Sequence, residues 1–134
     1  MKLKYSVELS TFKCDLSLFK EEQREAYRWV FEDVKDYRNF TPVYILDKFR
    51  SRITCKGFAL SFYEQHVNAK ARLLHLTTDK EFLFKKLGTH IAVGIIDKKD
   101  GVSEPADNDT HFNHFEYEDV VFSDKFQIIE KVVK

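Results

Sequence analysis

Acid–base or metal chemistry in this chain would rest on its five histidines and the carboxylates around them. The densest group is His111-Phe-Asn-His114, standing among Asp107, Asp109, Glu116 and Glu118. Imidazole and carboxylate are the ligand set of zinc and other borderline ions. On a strand, however, residues three apart point to opposite faces, so His111 and His114 converge only across a turn or bulge. With residues 103–110 read as an exposed loop, Asp109 and His111 are the pair that could share an ion. No family ligand spacing accompanies them, so the expectation is a polar strand edge without metal or cofactor.

A second histidine, His75, opens His75-Leu-Thr77. These three residues resemble one half of the two-histidine phosphoesterase signature. That chemistry needs a second His-x-Thr or His-x-Ser, and His90-Ile-Ala, His111-Phe-Asn and His114-Phe-Glu do not provide it. His75 nonetheless falls in a cationic stretch with Arg50, Arg52, Lys56 and Arg72. Together these residues describe a basic cleft for a small anionic or nucleotide-like ligand, with His75 as the acid or base. No phosphate-cradling glycine loop, nucleophile elbow, HExxH, cysteine pair or EF-hand loop is present, so no catalytic signature assigns an enzyme class.

The charge pattern points to partners more than to chemistry. The 22 basic and 22 acidic residues cancel, which removes the bulk argument for nucleic acid. Locally they do not cancel. Residues 41–100 carry 11 basic and 6 acidic side chains, and residues 101–134 carry 3 and 8. Either the two stretches pair internally, or they form a basic and an acidic patch for partners.

The elements that would hold these residues follow from periodicity. The 134 residues are read as one domain, 1–134, large enough to stand on a hydrophobic core. Residues 3–9 alternate and predict a strand. Phe19, Ala26, Val30, Val34 and Tyr37 recur at threes and fours, which predicts one long amphipathic helix over about 18–38, capped by Ser17 or Asp15. Thr41-Pro42 predicts a second, shorter helix carrying Ile45, Leu46, Phe49 and Ile53, with a strand over 43–46 as the competing reading. Residues 57–67 and 71–76 suggest a hairpin. Thr78 and Glu81 form a capping box opening a helix over 79–87, closed by Gly88. Strands are expected over 89–97, 111–122 and 125–133. The fold class is therefore α+β, an antiparallel or mixed sheet with the long helix packed on one face.

Cys14 and Cys55 do not make a disulfide framework and are read as two thiols in a reducing compartment. The charged, alternating N-terminus has no signal-like apolar region, and no apolar run is long enough to span a membrane. The expected location is the cytoplasm. The functional expectation is a small protein-interaction module of accessory, inhibitory or immunity type. The alternatives are an enzyme or binder acting on an anionic ligand at the His75 cleft, and weak nucleic-acid binding through residues 41–100.

Overall fold

The structure, a computed structural model, describes residues 2–47 and 54–132. One antiparallel sheet of six strands forms its frame, in the order β4-β5-β2-β1-β3-β6. The strands are β1 Arg24–Val30, β2 Leu60–Tyr63, β3 His90–Ile96, β4 Gly101–Ser103, β5 His111–Glu116 and β6 Phe126–Lys131. Among the described residues four α-helices accompany them: α1 Ser6–Thr11, α2 Val43–Leu46, α3 His66–Thr77 and α4 Phe84–Leu87. The α+β class holds, and the sheet is antiparallel rather than mixed.

The register decides which side chains share a face. Ala26 pairs with Gly94, Phe62 with Phe112, and Leu60 with His114. Side chains alternate along each strand, so these residues line one face together. Ala26, Val30, Leu60, Phe62, Ala92, Ile96, Phe112, Phe122 and Phe126 form the main core there. Phe62 is its hub, with ring centroids 5.8 Å from Phe112, 5.7 Å from Phe122 and 5.6 Å from Phe126. Gly94 leaves room for that layer, because a Cβ would lie 2.6 Å from the Phe126 ring.

The other face is divided in two. α3 covers Tyr63 and Ile91 through Ala69 and Leu73. The Trp29 indole donates to the Ala69 carbonyl oxygen at 2.7 Å and pins the helix down. At the far end, Leu9, Phe58, Ala59 and Phe115 make a smaller cluster beneath α1. A disulfide between Cys14 and Cys55 fastens this N-terminal segment to the chain entering β2. The cysteines are therefore paired, which corrects the reading of two reduced thiols. Segments 41 residues apart lie side by side once folded, and no sequence spacing announces that contact.

The long helix over 18–38 does not exist. That stretch holds β1, a loop, and a 3-10 turn at Tyr37–Phe40. Ala26, Val30 and Val34 are four apart, and a spacing of four fits a strand's period of two as well as a helix. Tyr27, Trp29 and Val30, strand-favouring residues, decide the matter. Residues 3–9 invert the other way, since Ser6–Thr11 is helical and only Leu3 bridges, to Tyr117. The hairpin is half right: β2 forms, but its expected partner is α3. The run Ala69-Lys-Ala-Arg-Leu-Leu74 consists of the strongest helix formers.

The capping box at Thr78 is not formed. Thr78 ends α3 and its hydroxyl donates back to the Leu74 carbonyl oxygen at 2.8 Å. The box is instead at Asp97 and Asp100, one turn before β4, where Lys125 reaches both carboxylates. Gly88 does close α4, at φ 134°. The second helix is α2, so the competing strand over 43–46 is excluded; its expected continuation through Phe49 and Ile53 lies outside the described residues. Internal charge pairing is real in part, with Lys56 against Glu104 and Lys70 against Glu130.

Candidate functional site

Among the described residues no element covers the sheet between α3 and the N-terminal cluster, and a half-open cleft of about 480 Å³ opens there. Its floor is a cross-strand pair, Ser61 of β2 against Asn113 of β5. His111, two residues before Asn113, stands on the same face and packs edge-on to Tyr63 at 5.2 Å. Val43, Tyr44, Thr54, Lys56 and Gly57 form one wall, and Glu104, Pro105 and Asp107 form the other.

The polar groups are held before any ligand arrives. Glu104 Oε2 accepts from the Asn113 backbone N–H at 2.9 Å and from the Asn113 amide at 2.5 Å. The Glu104 carbonyl oxygen accepts from Arg24 at 2.8 Å, so the loop is braced from both sides. Lys56 Nζ stands 3.6 Å from Glu104 with its ammonium largely in water. Asp107 Oδ1 accepts the backbone N–H of Asp109 and of His111, and Oδ2 lies 3.8 Å from His111 Nδ1. Thr110 joins these residues at φ 64°, an unusual conformation for a β-branched side chain.

Burial pushes the His111 pKa below its ordinary value; Asp107 and Glu104 oppose the shift, while Lys56 and Arg72 add to it. The ring is neutral at physiological pH, one nitrogen donating and the other accepting. Burial also pushes the Tyr63 hydroxyl up to about 12, so it stays protonated. Ser61, His111 and Asp107 are the residue types of a hydrolase triad, but the Ser61 hydroxyl faces Asn113 Oδ1 at 3.5 Å rather than the imidazole. The nucleophile–base bond that such chemistry requires is not made.

The residues expected to form a basic cleft are described only in part. Lys56 lines the cleft, whereas Arg72 and His75 lie exposed on α3. Arg50 and Arg52 lie outside the described residues. His111 is paired with Asp107 rather than with Asp109, which points to water. Among the described residues no three His, Cys, Asp or Glu side chains gather as a metal site. His114 goes to the opposite face, as strand parity requires, and is buried in the core. The same parity, applied to Asn113, would have placed it beside His111. Ser61 and Glu104 carried no comparable signal, since both enter through the pairing of distant segments.

A second surface lies on α3. Val67, Ala71 and Leu74 fall four and three apart, on one side of the helix, and all are exposed. Val67 is 70% exposed, Leu74 43%, and Phe82, just beyond the helix, 62%. Arg72, His75, Lys80, Lys85 and Lys86 are exposed along the same stretch, as are Asp79 and Glu81, and none of the five makes an ion pair with a described residue. Among the described residues no helix is long and apolar enough to cross a membrane. No protein-family model, curated protein or solved structure matches this chain.

Proposed function

We propose that this protein is a docking module that acts by holding a partner protein, with its docking face on the outer side of α3 and the 78–86 segment. One observation carries the reading: exposed apolar Val67, Leu74 and Phe82 are accompanied by Arg72, His75, Lys80, Lys85 and Lys86, which outnumber exposed Asp79 and Glu81 and have no ion-pair partner among the described residues. Unspent charge beside exposed apolar area fits an interface, the apolar groups supplying affinity and the charges selecting the partner. The complementary partner is an acidic amphipathic surface, apolar side chains flanked by Asp and Glu. The Cys14–Cys55 bond supports work in an oxidising compartment over the cytoplasm expected from the sequence.

The test is a photo-reactive side chain placed at position 74, with a control at exposed Glu32, in the native host. The reading expects one protein captured from position 74 alone, whose binding to the purified chain is abolished by Leu74→Glu. Equal capture from both positions, or binding indifferent to Leu74→Glu, overturns it.

A further inference from the structure

We propose that the cleft floored by Ser61 and Asn113 binds a neutral, hydroxyl-rich ligand, a saccharide of one or two rings. The inference is independent of the docking face, which lies on a different element. Size comes first: about 480 Å³ is within the range of small-molecule sites. Charge comes next. Two carboxylates, Glu104 and Asp107, oppose an anion; Lys56 offsets Glu104, and Asp107 is engaged by two backbone N–H groups beside His111, so little charge is left over to hold a cation. Apolar and polar groups line the cleft in similar measure, and a wholly apolar ligand would leave its carboxylates and ammonium without partners. What remains is a molecule read through hydroxyls, each able to donate to a carboxylate and accept from an ammonium or amide.

The groups present have that capacity and are already placed. Glu104 is oriented by two bonds from Asn113, and Asp107 by two backbone N–H groups. A preorganised set loses little entropy on binding, which is what a small polar ligand with a modest contact area needs. Neutral His111 can donate or accept. Tyr44 and Pro105 supply the apolar surface against which the C–H face of a pyranose packs.

The experiment is a protein NMR titration of the full chain with glucose, galactose, N-acetylglucosamine, maltose, glucosamine and glucuronic acid, each up to 50 mM. The expected result is saturable shifts at Ser61, Asn113 and His111 with at least one neutral sugar. Glucuronic acid and glucosamine should bind several-fold more weakly than their neutral counterparts. Asp107→Asn keeps the acceptor for the two backbone N–H groups but loses the charge, and should weaken binding about tenfold. Ser61→Ala removes an exposed hydroxyl and should weaken it about threefold. Methyl glycosides distinguish a glycan end from a free sugar: binding equal to that of the free sugar assigns the site to a glycan. Absence of saturable shifts with every neutral sugar, stronger binding of glucuronic acid, or shifts unaltered in both variants overturns the proposal.

Discussion

Arg28 donates from Nε to the Asn39 carbonyl oxygen at 2.6 Å and from Nη1 to the Ser61 carbonyl oxygen at 2.7 Å. Its side chain lies on the main core face, between Ala26 and Val30, with the guanidinium 5.9 Å from the Phe40 ring and 5.6 Å from Phe62. β1 and β2 register directly only at Tyr27 and Tyr63, so beyond that pair Arg28 supplies donors the ladder lacks. Burial pulls its pKa down to about 10, which leaves it charged at neutral pH. Asn39 is the other half of the clamp. Its Oδ1 accepts from Phe31 N–H, and its amide donates to the carbonyl oxygens of Asp33 and Val34.

Asn39→Ala removes three hydrogen bonds at a buried position and leaves backbone groups of the 31–34 loop without partners. It should cost about 2–4 kcal/mol, the range for orphaned buried polar groups. Arg28→Met keeps the apolar stem but strands two carbonyl oxygens, and should cost about 2–3 kcal/mol. Urea denaturation measures both. A loss below 0.5 kcal/mol in either variant would show that the clamp does not hold the loop to the sheet.

The disulfide joins residues 41 apart in sequence, so it restricts the unfolded chain strongly. The chain-entropy relation gives about 4 kcal/mol for a loop of that size. Cys14→Ser with Cys55→Ser, or reduction by dithiothreitol, should lower the melting temperature. Hydrogen exchange should rise first around Leu9 and Phe58, while Phe62 and Phe112 stay protected longest. A reduced protein that melts like the oxidised one contradicts this.

How much of this was readable beforehand divides along the range of the interactions. β3, β6 and the Gly88 stop follow from local alternation and turn residues, and the structure keeps them; the strand expected over 111–122 is kept only as β5, His111–Glu116, and Phe122 instead opens a 3-10 turn. Residues 24–30 read as helix because the spacing of Ala26, Val30 and Val34 suits both periods, and Arg28, at a core-facing position, hides the alternation of the strand. What rescues the arginine is Asn39 and Ser61, partners that periodicity cannot see. The cleft was less legible still. His111 and Lys56 stand out as residue types and parity sets Asn113 beside His111, but Ser61 and Glu104 join them only through the pairing of β2 with β5 and the bend of the 104–110 loop.

His114 offers a pH signature. It is buried, shares a hydrogen bond with Ser103 Oγ at 2.7 Å, and lies edge-on to Phe62 and Phe122. Burial pushes its pKa down to about 4 from the ordinary 6.5. Between those values the unfolded chain binds the proton and the folded chain does not, so stability rises with pH across this window and levels off above it. The shift amounts to about 3 kcal/mol. His111, also lowered, adds in the same direction, whereas buried Glu116, raised by desolvation, works against both. His114→Gln should therefore flatten most of the rise between pH 4.5 and 6.5 in denaturation midpoints. A slope equal to that of the parent would assign the window to other groups.

The docking face makes a kinetic prediction that separates its two components. Lys85 and Lys86 are exposed, without an ion pair among the described residues, and at the end of α4, so Lys85→Glu with Lys86→Glu should change fold stability by less than about 0.5 kcal/mol. Against the acidic partner captured at position 74, this double reversal should slow association about tenfold at low salt. The difference should shrink as ionic strength rises, because exposed charges beyond roughly 8 Å are screened at 0.15 M. Leu74→Ala removes apolar contact without touching charge. It should leave the association rate alone and speed dissociation by about tenfold, the factor that corresponds to roughly 1.4 kcal/mol. Surface-plasmon kinetics at two salt concentrations read both constants. If the lysine reversals alter dissociation instead, those lysines are buried in the contact rather than ringing it. If neither pair of substitutions changes either constant, the partner docks elsewhere on the molecule.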